Sequence, residues 1–305
     1  MEPFKVHVLG CGSAKPTTRH FASSQVVEVR GRVFMVDCGE GSQIQLRRTK
    51  VRFTRLRAVF ITHLHGDHCF GLIGLICSFA LSGRNVPLHI YAPVALKRLL
   101  DDMIAMFASD VSFEVVFHEV DTTMSQIIYE DSAVTVTTLP LKHRIPCCGY
   151  LFREKPTLPH IRRDMIDFYH IPMTRIMDIK NGADWTDEDG CVIPNERLVT
   201  PPDPVRAFAY CSDTRYLPSL HQLIKGVNLL YHESTYDECH KSLAEVYCHS
   251  TAAEAATVAL DAEAKHLLLG HYSSRYEDES VLLHEAQIIF PHTTLAQEGL
   301  VVDVV

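Results

Sequence analysis

ITHLHGDHCFGL, residues 61–72, places His63, His65, Asp67 and His68 within six positions, directly after an apolar run. Such a run is buried, and burying a neutral polar group without a partner costs on the order of 2–7 kcal/mol. Something must satisfy all four groups. A divalent metal does so, because neutral imidazole nitrogen and carboxylate oxygen are what zinc takes outside thiolate sites. His63, His65 and Asp67 alternate at period two, which in an extended segment puts them on one side of the chain. Gly66 permits a sharp turn. His68 then falls where the chain bends towards a helix, so that it faces a second metal. Four ligands from one turn rarely close around a single zinc, and two metals sharing the turn are expected.

Further ligands come from places with the same local grammar, a β-run ending in a lone ligand type. TVTTLPLKH ends at His143, AFAYCSD at Asp213 and KHLLLGH at His271. Ligands in layered α/β proteins gather beyond strand ends. The expected sets are His63, His65, His143 and Asp213 for one zinc, and Asp67, His68, His271 and the bridging Asp213 for the other. Each distal residue also has a plainer reading: a lone histidine after a strand is commonly just hydrogen-bonded, and Asp213 can cap the following helix. The first cluster needs partners, however, and these are the best placed. Two metals about 3.5–4 Å apart lower the pKa of a shared water and clamp both oxygens of an in-line displacement. Such a core hydrolyses a phosphodiester, amide, thioester or sulfate ester, so the residues by themselves give a dinuclear hydrolase.

The chain has 305 residues, 47% hydrophobic and 22% charged, which is ordinary for a soluble globular protein with a large core. The start, MEPFKVHVLG, lacks the basic and apolar regions of a signal peptide. No apolar run reaches the ~18 residues of a membrane span. The ten cysteines form no C-x-x-C pair, which points to reduced thiols in the cytoplasm, with Cys77 and Cys211 read as core residues. A net charge of −8 argues against bulk nucleic-acid binding, but patches override sums. LRRTKVRFTRLR, 46–57, holds six Lys/Arg and no acid. It is either a solvated helix end and loop or a phosphate-facing edge near the metal site, with Arg47, Arg48, Lys50 and Arg52 as candidate substrate contacts.

Strands are expected at 4–9, 24–29, 33–37, 58–62, 88–91, 113–120, 133–138, 149–152, 206–211, 228–231 and 266–269, with a hairpin turn at Arg30-Gly31-Arg32. Helices are expected at 40–48, 70–81, 94–107, 217–224, 252–262 and 280–288. The 70–81 helix is apolar on nearly every face, so it is expected to be buried on all sides, in the core or in a subunit interface. β-rich segments with crossover helices in both halves give an α/β fold with two packed sheets and outer helices, an αββα layering. Residues 153–205 break this rhythm with seven prolines and seven Lys/Arg against ten Asp/Glu. They read as an excursion from a single domain spanning 1–305, carrying a small hairpin or helix, with Phe168, Tyr169, Ile176, Trp185 and Val192 to bury.

LGCGSAKPT at 9–17, VDCGEGSQIQL at 36–46, HLHGDHCFGLIGL at 63–75, HRIPCCGY at 143–150, FAYCSDTR at 208–215, HEST at 232–235 and HST at 249–251 occur in that order. Together they resemble the ribonuclease Z family of the metallo-β-lactamase fold, over essentially the whole chain. The resemblance implies a mixed-sheet αββα sandwich, two zinc ions per subunit and removal of the 3′ trailer from precursor tRNA, leaving a 3′-hydroxyl. It implies that Asp67 takes the proton of the attacking water and that His249, supported by Glu233, protonates the leaving 3′-oxygen. The plainer reading of His249 is an exposed residue near the start of the following helix. The resemblance also implies a homodimer in which an arm of one subunit holds tRNA on the other. Family arms commonly carry a Gly-Pro-rich tip; here the stretch reads HIPMTRIMDIKNG at 170–182, inside the acidic excursion. The alternative function is a dinuclear-zinc hydrolase of a small phosphodiester, sulfate ester or thioester.

Overall fold

Alternation with period two runs through the first strands and feeds two different cores. In β1 (Phe4–Gly10), Phe4, Val6 and Val8 face one cluster and Leu9 the other. In β2 (Ser24–Val29), Val27 and Val29 face the first and Val26 the second. In β3 (Arg32–Val36), Phe34 and Val36 oppose Val33 and Met35 in the same way. A sheet covered on both faces needs apolar residues at nearly every position, and β4 (Leu56–Phe60) has them, with only Arg57 exposed. The computed structural model describes residues 2–305.

The remaining strands are β5 (Leu88–Ala92), β6 (Val115–Glu119), β7 (Ile127–Glu130), β8 (Val134–Pro140), β9 (Cys148–Glu154), the short β10 (His160–Ile161), β11 (Trp185–Thr186), β12 (Val192–Ile193) and β13 (Val199–Thr200), then β14 (Ala207–Cys211), β15 (Leu229–Glu233), β16 (His266–Gly270), β17 (Thr293–Leu295) and β18 (Val301–Asp303). Two seven-stranded mixed sheets form, ordered β18-β1-β2-β3-β4-β5-β6 and β17-β16-β15-β14-β9-β8-β7. One core joins them: Phe34 and Phe60 of the first meet Phe152 and Tyr150 of the second at ring-centroid distances of 5.8 Å and 5.3 Å. On the outer face of the first sheet lie Leu72, Leu75, Ile76 and Phe79 of the helix Leu72–Leu81 and Leu96 and Leu100 of the helix Ala95–Phe107. The helices Ala252–Asp261 and Ser280–Ile289 cover the second sheet. This is the expected αββα layering.

Several local expectations are corrected. The helix expected at 40–48 starts at Ser42, because Gly41 sits at φ 84°. The helix expected at 70–81 is Leu72–Leu81, with a separate turn of helix at Gly66–Cys69. The core of the chain does not bury it on all sides: Leu81 is 91% exposed, and Ile73, Cys77 and Ala80 are half-buried. Cys77 is therefore no core residue, whereas Cys211 is. Only Leu220–Leu223 is helical within 217–224. The strands β7, β17 and β18 and the helix Lys241–Tyr247 were not expected; each is short, and three or four residues carry too little periodicity to declare a strand. The hairpin at 30–32 has Arg30 and Gly31 both at positive φ, the turn that matches strand twist.

Residues 154–205 form one compact unit, and 2–153 with 206–305 the other. The smaller unit has its own core of Ile171, Ile179, Ile193 and Leu198, packed by Tyr169 and Trp185. Phe168 and Val192, expected in that core, are exposed, and Ile176 is half-buried. Its short helices and the paired strands β11 and β12 are the small helix and hairpin expected of the excursion. Among the described residues no helix is long and apolar enough to cross a membrane.

Candidate metal centre

The carboxyl ends of β4, β8, β14, β15 and β16 supply the site. His63 and His65 follow β4, His143 follows β8, Asp213 follows β14, Glu233 closes β15 and His271 follows β16. The segment is extended only as far as His65; Asp67 and His68 lie in the helical turn that begins at Gly66. Gly66 is therefore not a left-handed turn residue. Its missing Cβ leaves room for the Phe70 ring, which would otherwise stand 2.3 Å away. The ligand turn also depends on Gly39 and Gly71: a Cβ on Gly39 would meet the Asp67 carbonyl at 2.3 Å, and one on Gly71 the Gly39 carbonyl at 2.1 Å.

The two expected ligand sets come together. His63 Nε2 lies 3.0 Å from His65 Nδ1, which lies 3.3 Å from His143 Nε2. Asp213 Oδ2 is 3.6 Å and 3.7 Å from the Nε2 atoms of His63 and His143. Its other oxygen, Oδ1, is 3.2 Å from His68 Nε2 and 3.1 Å from His271 Nε2. Asp67 Oδ2 stands 3.5 Å and 3.7 Å from those same two nitrogens. One carboxylate thus divides its oxygens between two groups of imidazoles.

The outward nitrogens explain the orientation. Nδ1 of His68 meets Asp37 Oδ2 at 2.7 Å, Nδ1 of His271 meets Thr235 Oγ1 at 2.9 Å, Nδ1 of His63 meets Thr62 Oγ1 at 2.9 Å, and Nδ1 of His143 meets the Cys248 carbonyl at 2.9 Å. Fixing one ring nitrogen this way aims the other inward, as in metal-binding histidines. Nε2 of His68 and of His271 is buried with no hydrogen-bond partner, an arrangement that costs about 1–3 kcal/mol per group unless something occupies the centre. Ligand atoms about 3.3 Å apart are what bonds of about 2.0–2.1 Å to one tetrahedral ion require. The residues fit a divalent cation in each group.

Charge agrees. Burial disfavours a charged His68, but Asp213, Asp37 and Asp67 outweigh it and push its pKa well up. Burial likewise pushes Asp67 and Asp213 up, yet the surrounding histidines hold both carboxyls well below their usual range. His63, by contrast, is pushed well down, mainly by burial. Several buried carboxylates around these imidazoles form a negative pocket that a divalent cation neutralises.

Beside the cluster lies a second pair. Glu233, fully buried, accepts from His249 Nδ1 at 2.9 Å and from the Thr214 N–H at 2.7 Å, and Thr235 Oγ1 also donates to it. His249 is buried, 9% exposed, not at the surface as its plainer reading had it. Burial lowers its pKa, but the Glu233 carboxylate more than reverses this and raises it to about 9. Ligand-type atoms of Asp213, His249 and His271 lie within 4.8 Å of one another, so His249 reaches the centre.

Asp37 was missed by sequence reasoning. It is buried, holds His68 directly, and accepts from the backbone and hydroxyl of Thr62, which in turn meets His63. Only its place in VDCGEG hinted at a role. Asp37, His271 and Cys248 are non-glycine residues at φ 55°, 60° and 58°; backbone of that rare kind concentrates at functional sites. The four basic candidates lie elsewhere. Arg47 and Arg48 end the helix Ser42–Arg48, and Lys50 and Arg52 follow it, all exposed. The run enters the amino end of β4 whereas His63 follows its carboxyl end, and five strand residues, about 17 Å, intervene. An edge beside the metals is not what they form. The cations flanking the cluster are Lys142 and Arg144, also missed, on the wall of a cavity of about 560 Å³ beside His143.

Over 304 residues the chain is 54% identical to ribonuclease Z of Bacteroides thetaiotaomicron, covering 100% of this chain and 96% of that one. A family model described as Anti-Pycsar protein Apyc1 matches residues 4–155. Among solved structures, the short form of human tRNase Z superposes with a TM-score of 0.71 at 26% identity, covering 99% of both chains. The metallo-β-lactamase fold protein YhfI of Bacillus subtilis shares the fold, with a TM-score of 0.69 at 20% identity and 99% and 100% coverage.

Proposed function

Because the chain belongs to the ribonuclease Z family and is with it a tRNA 3′-processing endoribonuclease, we propose that it cuts the 3′ trailer from precursor tRNA with two zinc ions per subunit. The observation that carries the two-metal reading is Asp213, whose two oxygens face separate groups of histidine nitrogens. His63, His65, His143 and Asp213 would hold one ion, and Asp67, His68, His271 and Asp213 the other. When bound, the pair would acidify a water and offset charge on the phosphodiester.

The chain's own groups then divide the proton work. Asp67, kept ionised by its histidine neighbours and held at Oδ2 by the Ala14 N–H at 2.7 Å, accepts the proton of the attacking water. His249, kept protonated by Glu233, gives its proton to the leaving 3′-oxygen, so the tRNA ends in a hydroxyl. Asp37 positions His68 and, through Thr62, His63. Lys142 and Arg144 receive phosphates next to the cut, and Arg47, Arg48, Lys50 and Arg52 meet the tRNA body farther away. The reading includes a homodimer. The half-buried outer face of Leu72–Leu81, with Phe70 and Leu81 exposed at its ends, supports it as the interface. The compartment is the cytoplasm, where reduced thiols such as the ten here persist.

The test is cleavage of a precursor tRNA bearing a 3′ trailer by zinc-loaded protein, mapped to the nucleotide. Single-site cutting near the discriminator base with a 3′-hydroxyl is expected; turnover of a small aryl phosphodiester alone overturns the tRNA assignment. Two further outcomes belong here. Asp37→Asn keeps the volume but presents an amide to His68 Nδ1, and zinc affinity is expected to fall about 10–100-fold in a chelator competition. Glu233→Gln removes the charge that raises His249. A raised pKa keeps the acid present below about 9 and loses it above, so in the variant the alkaline limb of kcat moves to lower pH. An unmoved limb would remove Glu233 from this role.

A further inference from the structure

A second group of ligand-type side chains lies outside the histidine cluster. Cys11 follows β1, His20 precedes β2, and Glu298 lies between β17 and β18; their ligand atoms all lie within 4.8 Å of one another. Cys11 Sγ is 3.4 Å from His20 Nδ1 and 3.6 Å from Glu298 Oε1, and His20 Nδ1 is 3.1 Å from Glu298 Oε2. Bonds of about 2.3 Å to sulfur and 2.0–2.1 Å to nitrogen and oxygen, at tetrahedral angles, require edges of about 3.6 Å from sulfur and 3.4 Å between nitrogen and oxygen. The two sulfur edges, 3.4 Å to Nδ1 and 3.6 Å to Oε1, are close to those values, and Glu298 turns its other oxygen, Oε2, to His20 Nδ1 at 3.1 Å, so that the carboxylate faces both other donors. The other ring nitrogen of His20, Nε2, lies 3.3 Å from Glu279 Oε1, and Arg19 holds the same oxygen at 2.6 Å. A carboxylate on the far nitrogen is the usual support of a metal-bound imidazole. Cys11 is fully buried, and the His20 and Glu298 side chains are 12% and 14% exposed, so an ion can enter from one side and lose most of its water.

We propose that Cys11, His20 and Glu298 bind a further zinc ion, separate from the dinuclear centre, that braces the loop between β1 and β2. The Ala296 carbonyl, 3.4 Å from Cys11 Sγ, or a water supplies the fourth donor. On binding, the Cys11 thiol releases its proton to solvent and becomes the thiolate ligand. The loop so braced carries Ala14, whose N–H holds Asp67 Oδ2, and the Cys11 backbone carbonyl accepts from the N–H of Tyr272, the residue after His271. The ion would therefore fix both approaches to the dinuclear centre without touching substrate.

Cobalt distinguishes the two sites, because the expected dinuclear ligands include no thiolate. Protein stripped of metal and reloaded with Co²⁺ is expected to show a near-ultraviolet thiolate-to-cobalt charge-transfer band, absent in Cys11→Ser and weakened in His20→Asn. Metal content by mass spectrometry is expected to fall by one ion per chain in Cys11→Ser, whatever number the wild type holds elsewhere. Wild-type protein without the band overturns the proposal and leaves the cluster as a hydrogen-bonded ion pair. A band that persists in Cys11→Ser overturns it equally, and places the thiolate elsewhere, with Cys147 beside His63 the first to examine.

Discussion

Asp67→Ala is expected to abolish cleavage of precursor tRNA. The residue serves two purposes in the proposed mechanism, so its loss removes a base worth about 10²–10⁴-fold and a ligand besides. Its Oδ2 faces the unpartnered Nε2 atoms of both His68 and His271 and anchors the Ala14 N–H. Single-turnover cleavage and zinc content, measured on the same preparation, separate the two contributions. Asp67→Asn keeps an oxygen for Ala14 yet cannot take a proton, and is expected to be inactive while retaining more metal than the alanine variant. Full activity in either variant sinks the assignment of Asp67 as base.

The second large effect is at His249. His249→Ala is expected to slow turnover by about 10²–10⁴-fold with both zinc ions retained, because its partner is Glu233 and none of the proposed ligand sets needs it. Loss of zinc in this variant would instead make His249 a ligand, a role its distance from Asp213 and His271 does not forbid. The variant also leaves Glu233 buried and without its cationic partner. Breaking a buried pair costs about 3–5 kcal/mol, so the melting temperature is expected to drop as well. The double variant Glu233→Gln/His249→Ala removes both charges and is expected to recover much of that stability while remaining slow. Recovery of activity with stability would show that His249 acts only through folding.

What the linear pattern carried is instructive. The expected metal sets needed only ligand type and strand-end position: His143, Asp213 and His271 stand out because a β-run ends in a lone ligand type at each of them. The proposed general acid is less visible. Nothing local in HST or HEST marks His249 or Glu233; their pairing spans sixteen residues and depends on Thr214 and Thr235 reaching the same carboxylate. Asp37 was invisible for a related reason. An aspartate at a strand end looks like any turn residue until its burial and its bonds to His68, Thr62 and Tyr210 are known.

The basic run at 46–57 failed in the opposite direction. Its charge is plain in the sequence, but which end of β4 it adjoins decides its relevance, and charge density has no direction. The smaller unit erred similarly. Phe168 and Val192 are as apolar as Ile171 and Ile193, and which of them turns inward is set by how its short elements pack, not by hydropathy.

By itself, then, the sequence determined the layered architecture and the set of candidate ligands, because alternation, apolar run length and coordinating side-chain type are local properties of the chain. Only the tertiary structure decided that one aspartate lies between two groups of imidazoles, and that Asp37 and Thr235 hold two of those rings, His68 and His271. These are distances between residues far apart in the chain. They follow from where the carboxyl ends of strands in two different sheets converge, and no local pattern encodes that convergence.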